Sequence, residues 1–151
     1  LNELFSAFDD LAEKHGLEKI KTIGDAYMAV GGLPDPDPYH AERTARFAID
    51  LLTVISDYRR QNDHALEIRI GIASGAAVAG VIGKKKFIYD LWGDSVNTAS
   101  RMESHGLPGQ IQVTENTYAL LKDKFLFKER GSIEVKGMGH IRSYLLEGPA
   151  S

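Results

Sequence analysis

Tyr89-Asp90-Leu91-Trp92-Gly93-Asp94-Ser95-Val96-Asn97-Thr98-Ala99-Ser100-Arg101 runs from a strand, through a break, into a helix. Ile88 to Trp92 reads as a short strand, and Asp94 or Ser95 can cap a helix that continues through Ser104. Downstream, Gly106 to Gly109 breaks that helix, Ile111 to Val113 is a short strand, and a further helix begins at Thr114. Phe125 to Glu147 then reads as strands separated by Gly131 and by Gly137-Met138-Gly139. Upstream, Leu66 to Ala73 and Ala77 to Ile82 read as strands, with glycines and Lys84-Lys85-Lys86 at the turns. Ala41, Ala45, Ala48, Leu51, Leu52 and Ile55 mark a long amphipathic helix ending near Asn62, preceded by a proline-rich loop from Leu33 to Pro38. Leu17 to Ile23 and Tyr27 to Val30 form a hairpin with Gly24-Asp25 at its tip. Leu1, Leu4, Phe5, Phe8 and Leu11 fall at helical spacing, and that helix stops at His15-Gly16. Strands mixed with helices at varied spacing, without an internal repeat, imply an α+β sheet covered by helices in one domain over residues 1–151.

Composition narrows the class. A chain of 151 residues is long enough for a single core and too short for two ordinary ones. Hydrophobic residues at 43% and charged residues at 26% exclude disorder and a membrane class. No run approaches the roughly 20 apolar residues of a membrane-spanning helix, and the N-terminus lacks a signal-peptide pattern. The absence of cysteine removes disulfides, thiolate metal sites and a cysteine nucleophile, in keeping with a cytoplasmic setting. A net charge of -3 argues against nucleic acid as a partner but leaves room for a local cationic pocket around a phosphate ligand.

Several residues invite a chemical reading, each beside a plainer one. Asn97 and Arg101 are four apart on the expected helix, so an amide and a guanidinium share a face and can reach one anion; the plain alternative is a solvated arginine and a minor helix defect. Asp25 suits Mg²⁺, which takes one or two carboxylates plus phosphate oxygens, or is an ordinary turn aspartate. Lys19 and Lys21 alternate onto one strand face, lining a site or facing solvent on an edge. Arg69 interrupts the apolar run Ile68-Arg69-Ile70-Gly71-Ile72, needing an anionic partner if buried and none if turned outward. Lys136 precedes Gly137-Met138-Gly139, where backbone could approach a polyphosphate, or the segment is a simple turn. Lys84-Lys85-Lys86 reads as a solvated turn, and the five histidines fit no metal-ligand spacing.

Four blocks in order, Glu18 to Met28, Arg69 to Gly75, Tyr89 to Arg101 and Val135-Lys136-Gly137, closely resemble the catalytic domains of class III adenylate and guanylate cyclases. The resemblance implies a ferredoxin-like α+β sheet covered by helices and a head-to-tail homodimer whose active sites are shared between subunits. It also implies two Mg²⁺ or Mn²⁺ ions and attack of a ribose 3′-hydroxyl on the α-phosphate. By position, Asp25 resembles the second metal aspartate and Arg69 the arginine that reaches the substrate phosphates from the same subunit. Lys21 and Asp90 resemble the pair that reads adenine from the partner subunit. Asn97 and Arg101 resemble the residues that orient the ribose and stabilise the pentavalent phosphorus, and Lys136 the lysine on the terminal phosphates. Adenine offers N6 donors to a carboxylate and N1 to an ammonium, so Lys21 with Asp90 implies ATP and cyclic AMP. Guanylate members typically carry glutamate and cysteine there.

One departure stands at the start. The family pattern opens with a strand bearing the first metal aspartate, and no such segment precedes Leu1 in this sequence. The expectation is a domain lacking its first strand, inactive as it stands, from a parent with upstream regulatory or membrane domains. Guanylate cyclase and a non-catalytic nucleotide-binding or dimerisation module are the competing functions. A diguanylate cyclase is weaker, because Gly24-Asp25-Ala26 replaces its characteristic turn.

Overall fold

The computed structural model describes residues 2–23, 26–31, 39–62, 68–75, 78–82, 88–92, 94–135 and 139–150. The chain divides into two compact units, Leu1–His64 with Ala77–Gly93, and Ala65–Ala76 with Asp94–Ser151.

In the first unit, helix α1 (Asn2–Lys14) buries Leu4, Phe8 and Ala12, one residue per turn along a single stripe. It stops because Gly16 adopts φ 72°, a left-handed conformation that costs glycine little. The amide of Leu17 then donates to Ala12 O at 2.8 Å and that of Gly16 to Glu13 O at 3.1 Å, which satisfies two of the last helical carbonyls. Strands β1 (Glu18–Ile23) and β2 (Ala26–Val30) pair antiparallel, closing at Ile23 opposite Ala26. Their register slips once: Lys19 faces Ala29 and Lys21 faces Met28, which leaves Ile20 as an extra residue. Unbroken alternation, the basis for expecting Lys19 and Lys21 on one face, is therefore absent from β1. Helix α2 (His40–Asn62) buries Ala41, Ala45, Ala48, Leu51 and Ile55. The alanines allow close approach of α1, while Leu51 and Ile55 each contribute about 1.5–3 kcal/mol of burial. His15 Nε2 meets Asp50 Oδ2 at 2.7 Å and ties the end of α1 to α2. A second hairpin, β4 (Val78–Ile82) with β5 (Ile88–Trp92), completes the unit, and β5 runs beside β1.

The second unit is built on a four-stranded sheet. Its strands are β3 (Ile70–Ile72), β6 (Ile111–Thr114), β7 (Phe125–Val135) and β8 (Gly139–Pro149), in the spatial order β3-β6-β8-β7. Only β3 and β6 are parallel, and the chain between them includes helix α3 (Asp94–Ser104), which packs on both. All four residues of β6 are buried, as expected of a strand covered on both faces. Thr114 caps helix α4 (Glu115–Leu121), its hydroxyl accepting from Thr117 N at 3.4 Å. Thr117 is itself fully buried, with its hydroxyl within 2.8 Å of Ser74 Oγ and 3.1 Å of Thr114 Oγ1.

Two sequence expectations shift here. Of the strand expected over Leu66 to Ala73, residues 66 and 67 lie outside the described residues and strand is found at Ile70–Ile72, with backbone bonds from Gly109 N to Ile68 O at 2.7 Å and from Ile70 N to Gln110 O at 3.3 Å continuing the contact ahead of it. Gly131 does not separate two strands. β7 runs through it, with Arg130 as an extra residue between the pairs Glu129–Tyr144 and Gly131–Ser143, and Gly131 takes φ 104° to absorb the bulge.

Candidate functional site

The candidate residues sort by unit. Lys21 lies in β1 and Asp90 in β5, two strands of the first unit that contact one another. Asp90 is opposite Gly80 in the β4–β5 ladder. Asp25 and Lys136 fall outside the described residues. In the second unit, positions 97 and 101 are one turn apart on α3, as their spacing implies, and Arg101 is exposed in the last turn. Among the described residues Arg101 has no ion-pair partner, which leaves its guanidinium available to an anion. Arg69 sits just ahead of β3 and is turned outward, where its Nε meets Glu103 Oε2 at 3.1 Å. With both side chains more than a third exposed, at 46% and 37%, that pair contributes at most about 1 kcal/mol, so a phosphate can compete for the guanidinium at little cost.

The β1–β2 hairpin is anchored from below. Tyr27 donates from its hydroxyl to Asp9 Oδ1 at 2.7 Å, with Phe8 edge-on at 5.5 Å and Phe5 tilted at 5.7 Å. Lys19 Nζ lies 3.3 Å from the same Asp9 oxygen and 5.6 Å from the Tyr27 ring centre. Burial, then the bond and charge of Asp9, push the Tyr27 phenol well above its ordinary value. The hairpin that carries Lys21 is thus held to α1 through the Tyr27 phenol on β2 and the Asp9 carboxylate on the helix.

Three contributors to the α3 side escaped the sequence reading. Glu103 holds Arg69. Gly71 lets α3 approach β3 backbone to backbone, since a Cβ there would stand 2.2 Å from Glu103 N. Gln112, fully buried on β6, donates from Nε2 to Met102 O at 3.0 Å. A glycine between Ile70 and Ile72 and a glutamine between Ile111 and Val113 were the available signals, each a break in an apolar run.

The donor chemistry fits an anionic ligand with hard cations. Arg69, Arg101 and Lys136 are cationic, and Asp25 is a carboxylate, an oxygen donor of the type Mg²⁺ and Mn²⁺ prefer, between the paired residues Ile23 and Ala26. Among the described residues no helix is long and apolar enough to cross a membrane.

The chain is similar to known proteins over nearly its whole length. The adenylate and guanylate cyclase catalytic domain matches residues 1–148. An adenylate cyclase of Mycobacterium tuberculosis is 49% identical over 148 residues, a stretch that takes in 98% of this chain and 33% of that protein. The guanylate cyclase soluble subunit beta-2 of Homo sapiens is 45% identical over 148 residues, covering 97% of this chain and 24% of that protein. The chain thus spans a third or less of these relatives. The crystal structure of the guanylate cyclase domain of RhGC from Catenaria anguillulae in complex with GTP superposes with a TM-score of 0.92 at 40% identity, covering 99% of this chain and 82% of that one. Fold, residue order and sequence agree throughout, and the chain belongs to the class III adenylate and guanylate cyclase catalytic domain family.

Proposed function

We propose that this domain is an adenylate cyclase, converting ATP to 3′,5′-cyclic AMP and pyrophosphate at sites shared across a head-to-tail homodimer. What supports the base preference is the presence of Lys21 and Asp90 on the contacting strands β1 and β5. A carboxylate accepts from the adenine N6 amino group and an ammonium donates to N1. Guanine presents an acceptor and a donor at the corresponding edges, so both protein groups would be left facing like partners. Relatives of both specificities stand at similar identity, so the choice of base rests on these two residues.

In the reaction, the ribose 3′-oxygen bonds to the α-phosphorus, the bond from that phosphorus to the pyrophosphate breaks, and the hydroxyl proton is released. Arg101 stabilises the charge that grows on the phosphoryl oxygens and Asn97 orients the ribose; preorganised donors of this kind contribute most in the transition state. Arg69 and Lys136 hold the outer phosphates. Asp25 would supply one of the carboxylates for two Mg²⁺ or Mn²⁺ ions, which would lend Lewis acidity to the transfer. No side chain acts as a covalent nucleophile.

Turnover of ATP and of GTP by the full-length parent protein, with Mg²⁺ or Mn²⁺ and separate detection of the two cyclic products, tests the reading. ATP is expected to be preferred. A preference for GTP would make the domain a guanylate cyclase, and binding of nucleotide by a folded dimer without turnover of either would make it a non-catalytic module.

A further inference from the structure

Helix α3 ends at Ser104, and its last carbonyls need donors from beyond the helix. Arg101 O accepts from His105 N at 2.9 Å and Glu103 O from Gly106 N at 3.0 Å. The carbonyl between them, Met102 O, accepts from the side chain of Gln112 on β6. The other end of that amide, Oε1, accepts from Arg130 Nη1, and the same guanidinium nitrogen donates to His105 O. Arg130 is the extra residue of the β7 bulge, so the bulge is what directs it at the end of α3. Beside Gln112 in the parallel ladder lies Gly71, where a Cβ would also stand 2.6 Å from Ala99 O and from Met102 C. An amide that pulls and a glycine that yields therefore set where the last turn of α3 rests on the sheet, and Arg101 belongs to that turn.

We propose that Gln112 is a positioning residue of the phosphoryl-transfer site, its amide fixing the last turn of α3 so that Arg101 meets the α-phosphate as charge develops. The inference rests on the cyclase reading above. Its motive is the choice of residue. A buried polar group between Ile111 and Val113 gains little over an apolar side chain of the same size in stability alone. What glutamine adds is direction: only an amide of this length both donates to Met102 O and accepts from Arg130. Glutamate keeps the bond from Arg130 and loses the donation, methionine fills the volume and makes neither bond, and asparagine is one methylene short.

Steady-state kinetics of the full-length parent protein test this. Gln112→Met is expected to lower kcat by about 10–100-fold, the scale of a misplaced catalytic group, while KM for ATP stays within about threefold. In an Arg101→Ala background the same substitution is expected to cost less than about threefold in kcat, because the group it positions has gone. An equal loss in both backgrounds would mean that Gln112 acts on stability alone, and an unchanged kcat in Gln112→Met would overturn the proposal outright. Should that variant fail to fold, Gln112→Glu preserves size and the Arg130 bond; loss of kcat with KM retained is again expected, and full activity refutes the role. If the unsubstituted parent protein turns over neither ATP nor GTP, the cyclase reading falls, and the proposal with it.

Discussion

The two units are held together by different means. Among the described residues, the first unit buries only apolar side chains, from Leu4 and Phe8 on α1 to Leu51 and Ile55 on α2, and its polar contacts, such as Tyr27 with Asp9, are half-buried. All four buried polar residues, Gln112, Thr114, Thr117 and Ser143, belong to the second unit. Apolar packing is tolerant of direction, whereas hydrogen bonds fix it. The contrast follows the proposed division of labour. Lys21 and Asp90, proposed to read the base, ride on the apolar unit; Asn97 and Arg101, proposed to meet the transition state, ride on the unit with directional restraints.

Separating the two contributions genetically should produce the largest effect. Asp25→Ala removes the metal carboxylate of the first unit and Asn97→Ala the ribose contact of the second, and each alone is expected to reduce turnover to near background. Mixed in equal amounts and allowed to exchange subunits, the two should regain roughly a quarter of the unsubstituted rate, since half the dimers are mixed and each restores one of two sites. No recovery, with dimer exchange verified, would break the shared-site arrangement.

The base-reading side is expected to respond less steeply. Lys21→Glu with Asp90→Cys should lower kcat/KM for ATP by about 10–100-fold and admit GTP, at roughly 1–3 kcal/mol per mispaired group. Unchanged use of ATP would remove both residues from the base.

The sequence showed most of this architecture and part of the site. Helices α2 and α3 and the strands of both hairpins followed from periodicity, and Asn97 with Arg101 from a spacing of one turn. Spacing could not reveal the bulge at Ile20, which depends on how β2 pairs, nor the continuity of β7 through Gly131, where a glycine that looks like a strand break relieves an extra residue. Gln112 and Gly71 were invisible for a related reason. Their significance lies in a third element, the end of α3, that only the fold brings to them.

Rigidity in the second unit can be tested without catalysis. Gly71→Ala inserts a methyl against the backbone of α3, which the helix must yield to, and overpacking of this kind costs about 1–3 kcal/mol. A fall of roughly 3–10 °C in the thermal midpoint is expected, and no change would show that α3 moves more freely on the sheet than the Gln112 contact implies.

The smallest effect concerns the first unit. The Tyr27 phenol has a folded-state pKa above the ordinary 10.0, so the folded chain retains that proton more tightly than the unfolded one. Its contribution is complete below pH 10 and is lost as pH rises through the folded value. Tyr27→Phe should therefore flatten the alkaline decline seen in denaturant midpoints above pH 10, at a cost of about 0.5–1.5 kcal/mol near neutrality from the lost bond to Asp9. An identical alkaline slope in both proteins would separate the phenol from the hairpin's anchoring.

The parallel pairing of β3 with β6 also imposes an order of assembly. The β7–β8 ladder joins neighbours along the chain and can close locally, but Ile70–Ile72 is synthesised long before Ile111–Val113, its one ladder partner among the described residues, and must wait while a hairpin of the other unit and all of α3 emerge. Closing so long a loop costs entropy before any contact offsets it, so β3 is expected to join the sheet last. Pulse-labelled hydrogen exchange during refolding would then show amides of β8 protected before those of β3. Arg69, immediately ahead of that strand, would be the last of the described site residues to reach its place.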